Sequence, residues 1–494
     1  MTVTTRGPSP TRTDWLPLVA ICLGYFLVIL DVTVVTVAIP AIGSGLNAGL
    51  AELQWVVDGY TLVFAGALLF CGGLSDRFNG KRVFLAGLVL FTVASVGCGL
   101  APNPGVLVAA RLAQGAGAAL MVPASLALLR GAYPDRGSRA RAFGVWGMVA
   151  GVAAGAGPVL GGALVSAVGW RWVFYVNLPF GLLGLLLTTR YVPARPTEEP
   201  GPNVPARLAE EPGPNVLAHS VGRPGPNALA RSVGRPGLDA PAQMTSALCL
   251  GGLAWALIEA GPRGWTAPPV LLGLALFVLA LPAYLLLEHR APAPMLPLEL
   301  FGSRSFTASA IIGVLLNLGF YGLLFVLPLY FQQVRHLGPL ETGLAMLPMA
   351  LMPMISSPLS GRVAARTGAH VPMAFGLLIG GIGLLAWLPT GADTSYWALV
   401  PPMMLTGFGI GFTMPAATSA IMEAAPAELG GAASAVFNTA RQTGSAIGVA
   451  LVGTLVTDGD LVAGLHADVI IGGVGYLLAA VLTVTAVRPA EHNR

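Results

Sequence analysis

The chain has 494 residues, of which 55% are apolar and only 10% charged, and its mean hydropathy is +0.76. That composition excludes a set of ordinary water-soluble domains, so the solvent of this surface must be lipid. The formal charge of +4 does not point to nucleic acid. With the N-terminus placed in the cytoplasm, 21 of the 26 Lys and Arg fall in inner loops and tails, the asymmetry of the positive-inside rule.

A span needs roughly 20 mostly apolar residues to cross a hydrocarbon layer of about 30 Å. Fourteen stretches meet that need, near 16–39, 54–74, 83–101, 105–129, 141–167, 172–189, 244–260, 268–287, 305–331, 343–362, 371–389, 396–420, 431–456 and 468–487. Lipid leaves backbone N–H and C=O groups unsatisfied, so stretches this long must be helices. The expected fold is therefore all-α and integral to the membrane, and the even span count puts both termini in the cytoplasm.

Residues 1–15 form a polar tail. The first span is too long for the apolar core of a secretion signal and carries Asp31, so it is read as retained. Asp58 in the second span, Arg111 in the fourth and Arg441 in the thirteenth are the other ionisable groups at membrane depth, where each costs several kcal/mol unless paired or hydrated. Asp31, Asp58 and Arg111 all count to the outer half of the membrane. A buried carboxylate near a guanidinium can gain and lose a proton as its surroundings shift, which makes the three a candidate proton-coupling device. The alternative is a permanent ion pair, Asp31 or Asp58 with Arg111, that only fixes helix packing. Glu259 and Glu341 sit at span ends, where an interfacial carboxylate is ordinary.

In the fifth span Gly147, Gly151, Gly155, Gly157-Pro158 and Gly161-Gly162 place small residues along one helical face, suited to close helix contact, with a proline that can make it a hinge. Residues 191–243 break the apolar pattern with a twelve-residue repeat, PGPNVPARLAEE from Pro200, PGPNVLAHSVGR from Pro212 and PGPNALARSVGR from Pro224. That density of proline and glycine reads as an extended cytoplasmic tether. The four cysteines fall within spans and read as packing residues. The six histidines are placed outside the spans, and neither a nucleophile elbow nor a phosphate loop is present, so the chain is read as no enzyme, with no cofactor or metal.

Glycine and proline spacing recurs along the chain. Gly115, Gly117 and Pro123 return 292 positions later as Gly407, Gly409 and Pro415; Gly151 and Gly155 match Gly444 and Gly448 at 293; Gly72 and Arg77 match Gly361 and Arg366 at 289. The chain is thus divided into a six-helix bundle over 16–190, the loop, two inserted helices over 244–288, a second six-helix bundle over 289–488 and a tail of 489–494. Duplicated bundles are an architecture of alternating-access transporters.

These motifs resemble the major facilitator superfamily, in its fourteen-span drug:proton antiporter branch of the EmrB/QacA type. Gly72-Gly73-Leu74-Ser75-Asp76-Arg77-Phe78-Asn79-Gly80-Lys81 resembles the loop motif whose acid and basic residues gate exchange at the cytoplasmic face; the second copy keeps Arg362 and Arg366 but has Ala365 in place of the acid. Leu107 to Gly115 resembles the span-four motif with its proton-linked arginine, Arg111. Gly155-Ala156-Gly157-Pro158-Val159-Leu160-Gly161-Gly162 resembles the antiporter signature, and Leu30 to Pro40 is similar to the branch's span-one motif, with Thr36 where Asn is usual. Gly169-Trp170-Arg171-Trp172, Asn177, Glu259 and the segment around Arg441 also look like this branch.

The resemblance implies the major facilitator fold and proton-coupled export of an amphipathic drug or antibiotic, a cation being compatible with the carboxylates, by a monomer in a bacterial plasma membrane. A proton-linked importer of a small solute and a non-transporting receptor remain alternatives on the same fold. One lysine against 25 arginines fits a GC-rich bacterial source.

Overall fold

The computed structural model describes residues 15–133, 135–193, 240–291, 296, 298–426, 429–456 and 460–487. The repeat segment 200–235 and both tails lie outside the described residues, as does the side chain of Asp76. The chain runs through α1 (Leu16–Leu46), α2 (Leu50–Arg77), α3 (Gly80–Gly99), α4 (Pro104–Ala132), α5 (Arg136–Val168), the short α6 (Trp172–Tyr175), α7 (Asn177–Tyr191), α8 (Ala240–Arg263), α9 (Pro268–Arg290), α10 (Arg304–Leu329), α11 (Pro339–Ala345), α12 (Leu347–Thr367), α13 (His370–Leu385), α14 (Tyr396–Glu423), α15 (Gly430–Leu455) and α16 (Leu461–Ala486). Among the described residues there is no strand. Eleven segments among the described residues are long and apolar enough to cross a membrane, with α6 and α7 forming one of them (Trp172–Tyr191) and α11 with α12 another (Pro339–Thr367). Helices α2, α13 and α15 stand at the three other apolar stretches of the sequence.

Helix starts are fixed by local chemistry. Asn103, Asp135 and Asp460 accept hydrogen bonds from backbone N–H groups of the first turns of α4, α5 and α16 at 2.8–3.0 Å. Glu341 accepts from Gly338 N at 2.8 Å and so closes the first turn of α11, while Glu259 pairs with the exposed Arg263 at 3.0 Å. Both are the end-of-span roles expected of them. His289, His370 and His466, by contrast, lie within α9, α13 and α16 rather than between spans.

The outer surface is apolar. Val93 (63% exposed), Leu279 (70%) and Val484 (72%) would be unstable facing water, and together with the many exposed leucines of α9 they form a surface that only lipid satisfies.

Helices α1 to α7 pack into one bundle and α10 to α16 into another, with α8 set against α2 and α15, and α9 against α8. Glycines let the backbones meet. In the first bundle a Cβ on Gly115 would overlap the Tyr60 carbonyl of α2, and one on Gly117 would lie 2.7 Å from Phe91 N of α3. In the second, Gly407 stands equally close to the Met349 carbonyl of α12, and Gly409 to Gly380 of α13. The sequence-matched pair Gly151/Gly155 and Gly444/Gly448 does not keep one role. Gly444 and Gly448 press α15 onto Val314 and Leu318 of α10, whereas α5 touches α1 through Gly157 and Gly161, against Thr33 and Val34.

Taking the face at which α1 starts as the near face and the one at which it ends as the far face, the two bundles meet toward the far face. Gln54 Nε2 donates to the Val449 and Ala450 carbonyls at 2.5 and 3.0 Å, Gln332 Nε2 to Val37 O at 3.0 Å, and Leu340 N to Ser166 Oγ at 3.1 Å. Helix α5 runs antiparallel to α11 and α12: Gly162 abuts Pro339, Gly343 abuts Pro158, and Gly155 and Gly151 meet Met354 at 3.3 and 3.9 Å. One turn further toward the near face the contact ends, since Cβ atoms on Gly147, Gly144 and Gly361 would meet nothing within 4 Å. The bundles are sealed at the far face and parted at the near face. Gly343→Val, whose side chain would strike the Pro158 carbonyl, should hold the far face open; cysteines placed at Ser166 and Leu340 should then react faster with a membrane-impermeant maleimide than in the parent, and an unchanged rate would rule out that seal.

Candidate functional site

The buried charges divide into separate places. Asp31 of α1 and Arg111 of α4 form an ion pair with side chains 0% and 1% exposed. Arg111 Nε donates to Val56 O of α2 at 2.9 Å, its Nη1 also donates to Gln114 Oε1 at 3.0 Å, and the guanidinium lies 4.4 Å from the centroid of the Tyr60 ring. The other carboxylate oxygen of Asp31 accepts from Gln114 Nε2 at 2.9 Å and from Asn177 Nδ2 at 2.8 Å. Ser95 Oγ on α3 takes further bonds from Gln114 and Asn177 at 2.7 and 3.1 Å. Asn177 reaches the pair because the sixth span breaks at Val176, between α6 and α7, and α7 begins on that residue.

Asp58 lies elsewhere. No hydrogen bond or ion pair joins it to Arg111; both its oxygens are buried without a partner. It stands three residues after Trp55 and four before Leu62, hence on the same face of α2. Trp55 and Leu62 pack with Ala254, Leu257 and Ile258 of α8 and with Ala446 and Ala450 of α15. Asp58 therefore sits where one bundle, the other bundle and the inserted helix meet.

Arg441 of α15 is the third place. Its Nη1 donates to Asn438 Oδ1 at 3.3 Å, and its Nε is buried with no partner. Sequence reasoning missed two more: Glu288 of α9, 3% exposed, which accepts from Leu296 N at 3.0 Å, and Asp468 of α16, 2% exposed, with Oδ2 unpartnered and its carboxylate resting on Gly322 of α10. Asp468 follows Asn177 by 291 positions and Gly322 follows Asp31 by 291, so the second bundle carries its acid on the opposite helix of the equivalent pair and has glycine where the first has Asp31. The polar neutral members Ser95 and Gln114 were also missed. Their signal was a hydroxyl and an amide at membrane depth, which must find partners there.

The loop-motif residues are spread over the near face. Lys81 Nζ donates to Thr189 O and Val192 O at 2.9 and 2.7 Å and ties α3 to the end of α7. Arg77, Arg362 and Arg366 are exposed, with no ion pair among the described residues, and no atom comes within 4 Å of a Cβ built on Gly72. A cavity of about 650 Å³ lies at the far face, walled by Pro40, Ser44, Leu53, Gln332, Pro339 and Leu461; none of the buried charges lines it.

The paired bundles and their buried ionisable groups agree with what sequence comparison finds. A profile of the Major Facilitator Superfamily matches residues 21–449. The chain belongs to that superfamily. It is 35% identical over 437 residues to the methylenomycin A resistance protein of Streptomyces coelicolor, covering 88% of this chain and 84% of the relative. It is 36% identical over 457 residues to the puromycin resistance protein of Streptomyces alboniger, covering 92% and 83%, and 35% identical over 445 residues to the multidrug resistance protein Stp of Mycobacterium tuberculosis, covering 90% and 76%. The chain is thus a multi-pass membrane transporter and not an enzyme, with relatives named for antibiotic and drug resistance.

The ion pair sets a stability order for this transporter. Arg111→Ala leaves Asp31 buried without its counter-charge, at an expected cost of about 3–5 kcal/mol, whereas Asn177→Ala removes one hydrogen bond, at about 1–3 kcal/mol. Thermal unfolding of the purified protein in detergent should show that order, and a parental melting temperature for Arg111→Ala would mean that the pair adds nothing to stability.

Proposed function

We propose that this transporter exports small amphipathic drugs or antibiotics in exchange for protons, by alternating access across the plasma membrane of a bacterium. The observation that carries the reading is Asp58, a carboxylate without a partner at one of the junctions that must separate if the far face is to open. Helices α2, α13 and α15 are read as spans beside the eleven, which gives fourteen, and the arginine distribution makes the near face cytoplasmic. The conformation is then inward-open.

The coupling follows from electrostatics. When α15 draws away from α2, Asp58 meets water from the far face and can take either charge state. Closing the junction again strips that water, and a charged carboxylate with no partner would cost several kcal/mol there. Closure is therefore favoured once a proton from outside has neutralised Asp58, so the return inward carries that proton with it, and exchange requires its release to the cytoplasmic side before the far face opens again. Asp31 and Arg111 have a different part. With its carboxylate fully engaged, the pair holds the first bundle rigid and keeps the positive charge of Arg111 beside α2 as that helix moves. Gly157 and Gly161 provide the close contact of α5 with α1, and Gly151, Gly155, Pro158 and Gly162 its contact with α11 and α12, about which the bundles pivot.

The names of the relatives support the cargo class, and puromycin and methylenomycin A are natural first probes. In an efflux-deficient bacterial host, expression of the protein should raise the inhibitory concentration of at least one of them severalfold. A protonophore should cancel the effect, and Asp58→Asn should remove it while leaving the amount of protein in the membrane unchanged. Greater accumulation of the probe in cells that carry the protein would point to import, and full protection by Asp58→Asn would end the role given to that carboxylate.

A further inference from the structure

At mid-depth, where the bundles part, an aromatic pair of the first bundle stands within electrostatic reach of an arginine of the second. Tyr25 of α1 and Trp146 of α5 stack face to face, with ring centroids 3.7 Å apart and planes 6° from parallel. The second bundle contributes Arg441 of α15, eleven residues or about 16 Å from the start of its helix, and Tyr321 of α10. The guanidinium lies within electrostatic reach of both tyrosines. Its Cζ stands 5.9 Å from the Phe437 ring centroid, its Nη1 reaches Asn438, and its Nε has no partner.

A guanidinium at this depth is costly unless an opposite charge or water meets it. Among the described residues no carboxylate pairs with it. Asp31 is held by Arg111 inside the first bundle, Asp58 lies on the face of α2 turned to α8 and α15, and Asp468 rests on Gly322. The charge presented between the bundles is positive, the reverse of what a count of carboxylates along the sequence suggests.

We propose that Arg441, flanked by Tyr25, Trp146 and Tyr321, reads the charge of the cargo, and that the favoured cargo is a small organic anion carrying a flat unsaturated ring. The guanidinium offers the fork geometry that fits a carboxylate, strongest where water is scarce, and the stacked Tyr25–Trp146 slab offers a flat apolar wall to the ring. Because the four residues come from both bundles, a ligand bound there bridges them and is released when rocking separates them. The inference deepens the export reading above, on which its physiological meaning rests.

The test uses the full-length protein in lipid nanodiscs and a matched pair of radiolabelled probes, 1-naphthylacetate and 1-naphthylmethylammonium, equal in ring and opposite in charge. The parent should bind the anion at least about tenfold more tightly, a difference of about 1.4 kcal/mol. Arg441→Gln should abolish that preference, and Arg441→Lys, which keeps the charge, should retain most of it and so separate charge recognition from misfolding. Equal affinities, a preference for the cation, a preference that survives Arg441→Gln, or no saturable anion binding would each overturn the proposal. Binding needs no gradient, so anion preference with no proton-driven efflux would sink the export reading alone, and efflux with no anion preference would sink this one alone.

Discussion

A carboxylate inside a lipid-spanning bundle cannot remain charged by itself, and the way Asp31 is satisfied organises the first bundle. Its two oxygens are divided among Arg111, Gln114 and Asn177, and Arg111 is in turn fastened to the backbone of α2 and laid over Tyr60. One charge thereby fixes α1, α2, α4 and α7, with α3 joined through Ser95. An apolar contact between any two of these helices could slide; a hydrogen-bonded ion pair at this depth has one geometry and a large penalty for losing it. The second bundle lacks that tie. Gly322 stands in for Asp31 and lets Asp468 lie against bare backbone.

The other cohesive element is close approach. Lipid tails are as apolar as leucine, so helices in a membrane gain little by burying ordinary side chains and must gain through contact area and dispersion. Glycines at the α2–α4, α1–α5, α10–α15 and α13–α14 crossings bring backbone against backbone. Toward the far face the same device works between the bundles, through Gly162 and Gly343, while Gly453 leaves room for the Gln54 side chain. Toward the near face Gly144, Gly147 and Gly361 have no neighbour, and smooth helix surfaces of this kind can meet when the bundles rock without any side chain having to leave a socket.

The helices and their approximate extents were legible because a long apolar run in lipid has a single solution. Their ends were less so. Helix α1 continues to Leu46 beyond its apolar run, since backbone bonding persists into the interface, and the break at Val176 lies inside a stretch that reads as one span. The pairing of Asp31 with Arg111 could be anticipated as one alternative, because two opposite charges at equal depth must meet or be hydrated. Asp58 could not be placed from depth alone; helical phase puts it on the face of α2 turned away from Arg111. Ser95 and Gln114 escaped notice because a search for charge passes over neutral polar groups, and Asp468 because a residue at the edge of an apolar run looks interfacial until α16 is seen to begin at Leu461.

The order in which the ion pair is made along the chain bears on how the protein is synthesised. Asp31 enters the bilayer with the first span, Arg111 follows 80 residues later and Asn177 another 66 after that. Until then the acid is a lone ionisable group on an isolated helix, worth roughly 2.5–3.5 kcal/mol against insertion at the helix centre. A nascent first span would be held at the translocation machinery, or admitted in its protonated form, until the fourth span delivers the cation; the second bundle, whose first helix carries glycine at the matching place, faces no such wait.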